Sequence, residues 1–272
     1  MPVLRSILVS SDFFNEVKRW QKSLGHPETV TNNGNATAVG KAFVWGDEQE
    51  AFGAVILDER IAFAFLQGHG LAIGLIIHEL THVFWDSEIL RKYGSEPWPG
   101  SNNLPAILRH ITRSVISEFL AECVAGDSFA EEDVKGSMEL AGSALTSALD
   151  AVNKARVEYD HNDDITALWL CIMEHTCTVL LQMGRVIGLC ISTASDQTQS
   201  SLLFDTISNV SPEWTPIAKN LANILPRFRT LDVGLVNEYE PVLSKLVIRC
   251  FRLLRIEPLF RPETRTIDWL VY

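Results

Sequence analysis

The sequence predicts an α+β fold that is mostly helical, with a small N-terminal antiparallel sheet packed on one long helix and a helical bundle in the C-terminal half. Three observations carry this expectation. Short β-like runs are confined to residues 36–60. From Gly70 onward nearly every segment has helical length and apolar spacing. Hydrophobic residues make up 47% of the 272-residue chain, enough to bury a proper core.

The first element expected is an amphipathic helix over 12–24, with Asp12 as N-cap, Phe13, Phe14, Val17, Trp20 and Leu24 as its apolar stripe, and Gly25-His26-Pro27 as its stop. Asn32-Asn33-Gly34-Asn35 reads as a turn. Runs at 37–45 and 53–57, separated by a polar loop at 46–50, read as a hairpin. Helices are then expected at 71–90 and 104–129, joined by the Pro- and Gly-bearing loop 93–103. A charged hinge, Glu131-Glu132-Asp133, precedes helices at 134–159, 164–192, 200–210, 216–224 and 240–256, with Pro241 in the first turn of the last. The division expected is a core over 1–130 and an all-helical region over 131–272 packed on it.

Composition narrows the function classes. Acidic residues outnumber basic ones 34 to 23, giving a formal charge of −11, a field that repels nucleic acid. Arg249, Arg252, Arg255 and Arg261 enrich the C-terminal stretch, where such spacing marks a solvated face. The five cysteines are odd in number and lack any CxxC pair, as expected of reduced thiols. The N-terminal apolar run breaks at Ser10-Ser11-Asp12 and makes a poor signal peptide, so a cytoplasmic location is expected. Residues 61–77 and 165–192 are strongly apolar. The first is interrupted by Gln67-Gly68-His69-Gly70 and the second carries Glu174, His175, Gln182 and Arg185, so buried helices are expected and no membrane.

The chemistry-bearing segment is Ile76-Ile77-His78-Glu79-Leu80-Thr81-His82-Val83, an HExxH pattern inside an apolar helix. Four residues is about one helical turn, so His78 and His82 project from one face and can reach a single ion. Glu79 lies on the adjacent face, placed to act as general base toward a metal-activated water. A catalytic zinc site needs a third protein ligand and an open position. Glu118 is the best candidate, because Ser117-Glu118-Phe119-Leu120-Ala121-Glu122 sets two carboxylates one turn apart on an apolar background. Metal on one and the free N–H of a ligand histidine on the other would relieve their repulsion.

These two motifs and their order resemble the gluzincin metallopeptidases, which pair HExxH with a glutamate from a downstream helix and an acidic residue four positions later. The likeness covers residues 36–126 and is similar to the small ImmA/IrrE-like peptidases. It implies a zinc cofactor, Glu118 as ligand and Glu122 as the acidic residue behind it, where the family usually carries Asp. It also implies a strand before the HExxH helix, matched by Val55-Ile56-Leu57-Asp58. Taken as an edge strand, Val55, Ile56 and Leu57 would pair with an extended peptide substrate.

Other readings stay open from the residues. Asp86 and Glu88 follow His82 and could reach a metal at the helix end; His110 lies about two turns before Glu118. Glu174-His175, inside a very apolar helix, calls for a buried partner, and His26, His69 and His161 look like loop residues. The function expected is a zinc metallopeptidase acting on a peptide or protein. The alternative is a catalytically silent, zincin-like regulatory protein that uses its C-terminal helices for a protein partner. A zinc hydrolase of non-peptide bonds and an intramembrane protease are weaker rivals.

Overall fold

The structure, a computed structural model, describes residues 3–25, 32–33, 36–94, 103–193, 196–261 and 266–271. The chain divides into two compact units, Met1–Glu96 with Leu120–Glu131, and Pro97–Phe119 with Glu132–Tyr272. The first unit runs β1 (Val3–Ser10), α1 (Phe13–Ser23), β2 (Asn32–Asn33), β3 (Ala36–Thr37), β4 (Gly40–Gly46), β5 (Ala51–Asp58), α2 (Glu59–Leu66) and α3 (Gly70–Tyr93). Helix α4 (Leu104–Ala125) is continuous, and its C-terminal residues belong to this unit.

Mostly helical α+β architecture is what the chain adopts. The expected hairpin is present as the antiparallel pair β4–β5, in which Gly40 faces Leu57 and Gly46 faces Ala51. Its tip is closed by Asp47, whose carboxylate accepts from the backbone N–H groups of Gln49 (2.8 Å) and Glu50 (2.9 Å); those bonds hold it below the usual carboxylate range. A third strand extends the sheet: β1 runs parallel to β5 from Val3 opposite Phe52 to Ser10 opposite Asp58, giving the order β1-β5-β4.

That order corrects the edge-strand expectation. Val55, Ile56 and Leu57 lie in the central strand, paired on both sides, and cannot accept a further strand. Both faces are covered as well. Ile56 packs with Phe13, Val17 and Phe43 under α1, whereas Val55 and Leu57 pack with Val83, Ile76 and Leu80 of α3. Ala54, Val55 and Ile56 have no exposed surface. Burial of each large aliphatic side chain here is worth about 1.5–3 kcal/mol. The open edge of the sheet beside α3 belongs to β4, since no described strand pairs with its outer side.

Local chemistry explains several boundaries. Asp12 occupies the N-cap of α1 without capping it; its Oδ2 accepts instead from Asn15 Nδ2 at 2.8 Å. Asp58 ends β5 and caps α2, accepting from Arg60 N at 2.9 Å while the Arg60 guanidinium forks onto both its oxygens at 2.8 Å. That fork holds the Asp58 carboxyl below its ordinary range. Gly25, at φ +72, follows α1, whereas His26, Pro27, Gly34, Asn35 and residues 95–102 lie outside the described residues.

The second unit holds most of α4, then α5 (Glu131–Asn162), α6 (Ile165–Ser192), α7 (Asp196–Val210), α8 (Thr215–Ile224), α9 (Leu235–Leu253), β6 (Ile256–Arg261) and β7 (Thr266–Val271). Glu131, Glu132 and Asp133 form the first turn of α5 rather than a hinge, where carboxylates complement the helix dipole. Pro241 lies inside α9, not in its first turn, because the helix starts at Leu235. The β6–β7 hairpin is an addition to the expected bundle, with the Trp269 ring tilted against Trp169 of α6 at a centroid distance of 4.2 Å. Arg249, Arg252, Arg255 and Arg261 are exposed. By length and composition α6 could cross a membrane, as could α2 with α3 taken together across a 120° bend; α6 carries a buried stripe that includes Leu168, Ile172, Val179, Met183 and Val186.

Candidate metal centre

Helix α3 lays three polar residues into its middle, one facing the sheet and two facing α4. Its sheet-facing stripe is Ile76, Leu80 and Val83, and Glu79 joins that side against β4. His78 and His82, one turn apart, face α4. Their rings meet edge to face with centroids 4.6 Å apart, and the two Nε2 atoms are separated by 2.9 Å.

Helix α4 brings up the two carboxylates. Oε1 of Glu122 lies 3.4 Å from Nδ1 of His78, with the side chains 1% and 8% exposed respectively. Two groups this buried are costly unless each serves the other or a ligand. A carboxylate facing Nδ1 keeps the ring proton there and directs the Nε2 lone pair away from it. Glu118, one turn earlier, is half-buried. One donor atom each from His78, His82 and Glu118 fall within 4.8 Å of one another, so this group could hold a metal ion.

The donors fit such an ion. Two imidazole nitrogens bound at about 2.0–2.1 Å to one tetrahedral centre sit roughly 3.3 Å apart, so the observed 2.9 Å needs only a slight opening. Two histidines and one carboxylate also leave a coordination position open. Asp86 and Glu88 are not in the group; Asp86 is exposed, and Glu88 pairs with Arg91 at 2.9 Å. His110 is half-buried and likewise outside it.

Two neighbours of this centre were not singled out by sequence reasoning. Arg185 of α6 places Nε 3.9 Å from Glu118 Oε2. Gly184 makes that approach feasible, since a Cβ there would meet the Val115 carbonyl at 3.1 Å, so α6 rides directly on the α4 backbone. A lone arginine flanked by apolar residues was the available signal. The other is Gly40 of β4, beside Glu79; a glycine within a β run gives little to read without the helix opposite it.

The expected burial of Glu174 and His175 does not occur: Glu174 is exposed and His175 half-buried, because they sit on the outer side of α6. His69 is an exposed residue between helices, its Nε2 3.1 Å from Gln67 Oε1, and His161 is in the last turn of α5 rather than in a loop. The Cys177 thiol is pushed up to about 12 by burial, with Glu118 and then Glu174 adding to it, so it stays protonated near neutral pH. Burial likewise raises Cys250. In native protein at pH 8, both are expected to resist iodoacetamide, and mass spectrometry of tryptic peptides would expose labelling at the unfolded-state rate as a failure of this prediction.

Compared with known proteins, the chain matches no family model, no curated protein and no solved structure.

Proposed function

We propose that the chain is a zinc metallopeptidase, with His78, His82 and Glu118 as ligands and Glu79 as general base. The observation that carries this reading is the convergence of the three donors within 4.8 Å, on the same helix that sets Glu79 against β4. When bound, zinc would polarise the scissile carbonyl and acidify a water molecule. Glu79 takes the proton from that water at a carboxylate oxygen and returns it to the leaving amine. Glu122 fixes the His78 ring, so the ligand nitrogen does not wander during turnover.

The hairpin register supports a place for such a substrate. The bonds Asp58 N–H to Val39 O (2.9 Å) and Asp47 N–H to Glu50 O (3.0 Å) bracket β4, and antiparallel alternation turns the backbone of odd residues between them toward β5. Gly40, Ala42 and Val44 therefore direct their N–H and C=O groups to the open edge. An extended peptide can add there as a further strand, so the substrate class is an unfolded or loop segment. The five free cysteines suit a reducing compartment such as the cytoplasm.

Protein purified without chelator should carry close to one zinc per chain and cleave an unfolded protein in a phenanthroline-sensitive way. Metal far below one ion per two chains would defeat the proposal. Full zinc with no cleavage of any peptide would favour the regulatory reading. Within the site, Glu122→Gln should weaken zinc by about 10–100-fold, as changes behind a ligand do, and Glu118→Gln should weaken it further. Competition against a chromophoric chelator reads both, and the reverse ranking would exchange the two glutamates' roles.

A further inference from the structure

Glycine inside a strand weakens it, and often marks a close approach by another group. Gly40 is such a case. Its φ is not among the positive values that Gly25, Gly46, Gly68 and Gly94 adopt, so no turn requires glycine there. What it provides is space: a Cβ at position 40 would lie 2.8 Å from Cγ, 2.9 Å from Oε1 and 3.1 Å from Cδ of Glu79. The three nearest atoms all belong to one side chain. Ala42, the next residue on the same face, packs by contrast against the Val55, Leu57 and Val83 cluster.

We infer that Gly40 is a positioning residue for Glu79. By presenting no side chain to α3, it lets the Glu79 carboxylate lie against the open edge of β4, at the strand position whose own N–H and C=O point outward. Base and peptide-binding backbone then meet at one residue. The catalytic consequence rests on the metallopeptidase reading; the contact between positions 40 and 79 does not.

A side chain at 40 meets Cγ, Oε1 and Cδ of a glutamate rather than backbone, so rotation about the Glu79 side-chain bonds can relieve it while the carboxylate moves. Gly40→Ala should lower kcat at least ~10-fold, because misplacing a reacting group by about 1 Å can cost ~100-fold. Zinc content should be unchanged and KM should shift less than kcat. Wild-type kcat in Gly40→Ala, or a KM that shifts as much as kcat, would overturn the inference.

A second readout needs neither activity nor metal. In metal-free full-length protein, Gly40→Ala should lower Tm by roughly 2–4 °C with Glu79 present, the shift expected for a small local penalty in a chain of this size. In the Glu79→Ala background it should lower Tm by none of that. Identical shifts in both would overturn the contact. An inactive wild type defeats the peptidase reading, and the melting comparison still decides whether Gly40 sets Glu79.

Discussion

Glu79→Gln should retain zinc and lose turnover. The amide matches the carboxylate in size, so packing against β4 at Gly40 is kept, yet it cannot accept the proton that the attacking water must give up. General-base catalysis is worth about 10²–10⁴-fold, and kcat should fall by that factor or more. Because the loss is confined to the reacting state, kcat and kcat/KM should fall together. Zinc stoichiometry should match wild type, since Glu79 is not among the three donors that cluster. Hydrolysis by Glu79→Gln at an undiminished rate would end the mechanism, whatever the metal content.

His82→Ala should abolish the stabilisation that zinc confers. An ion held only by the folded chain stabilises by about 2.7 kcal/mol at one hundred times its dissociation constant. At about 2–4 °C per kcal/mol, zinc added to metal-free wild type should raise Tm by roughly 5–10 °C. His82 is the histidine of choice for this test, because it is half-buried whereas His78 is buried and packed beside Glu122. Removing it leaves two donors and should erase most of the shift, with little change in the metal-free Tm. A zinc-induced shift as large as wild type's would place the ion elsewhere.

How much of this was legible in the sequence depends on the range over which each signal acts. The one-turn spacing of His78 and His82 is a local property of a helix, and so is that of Glu118 and Glu122, so both pairs could be read directly. Helix α3 itself was plain from its apolar length. The role of β5 was not, although the run Ala51–Leu57 lacks the alternation of a half-exposed strand; unbroken apolarity is what a strand covered on both faces shows. Its parallel partner, β1, lies nearly fifty positions earlier, and a short apolar stretch does not state which strand it pairs with. The β6–β7 hairpin was hidden in the same way behind its arginines, and Pro241 mimicked a helix start that lies one and a half turns upstream. Arg185 and Gly40 matter through what faces them, and a single chain does not state what faces what.

The position of β5 carries a cost in assembly. Its hairpin with β4 closes through a short loop and can form within microseconds, whereas β1 must find its place across a long stretch of chain. Until it does, the uncharged segment Ala51–Leu57 has one bare side, of the kind that recruits other chains. β1 therefore serves as a guard: a fragment beginning after Ser10 would keep the histidines, the glutamates and β4, and would aggregate through β5.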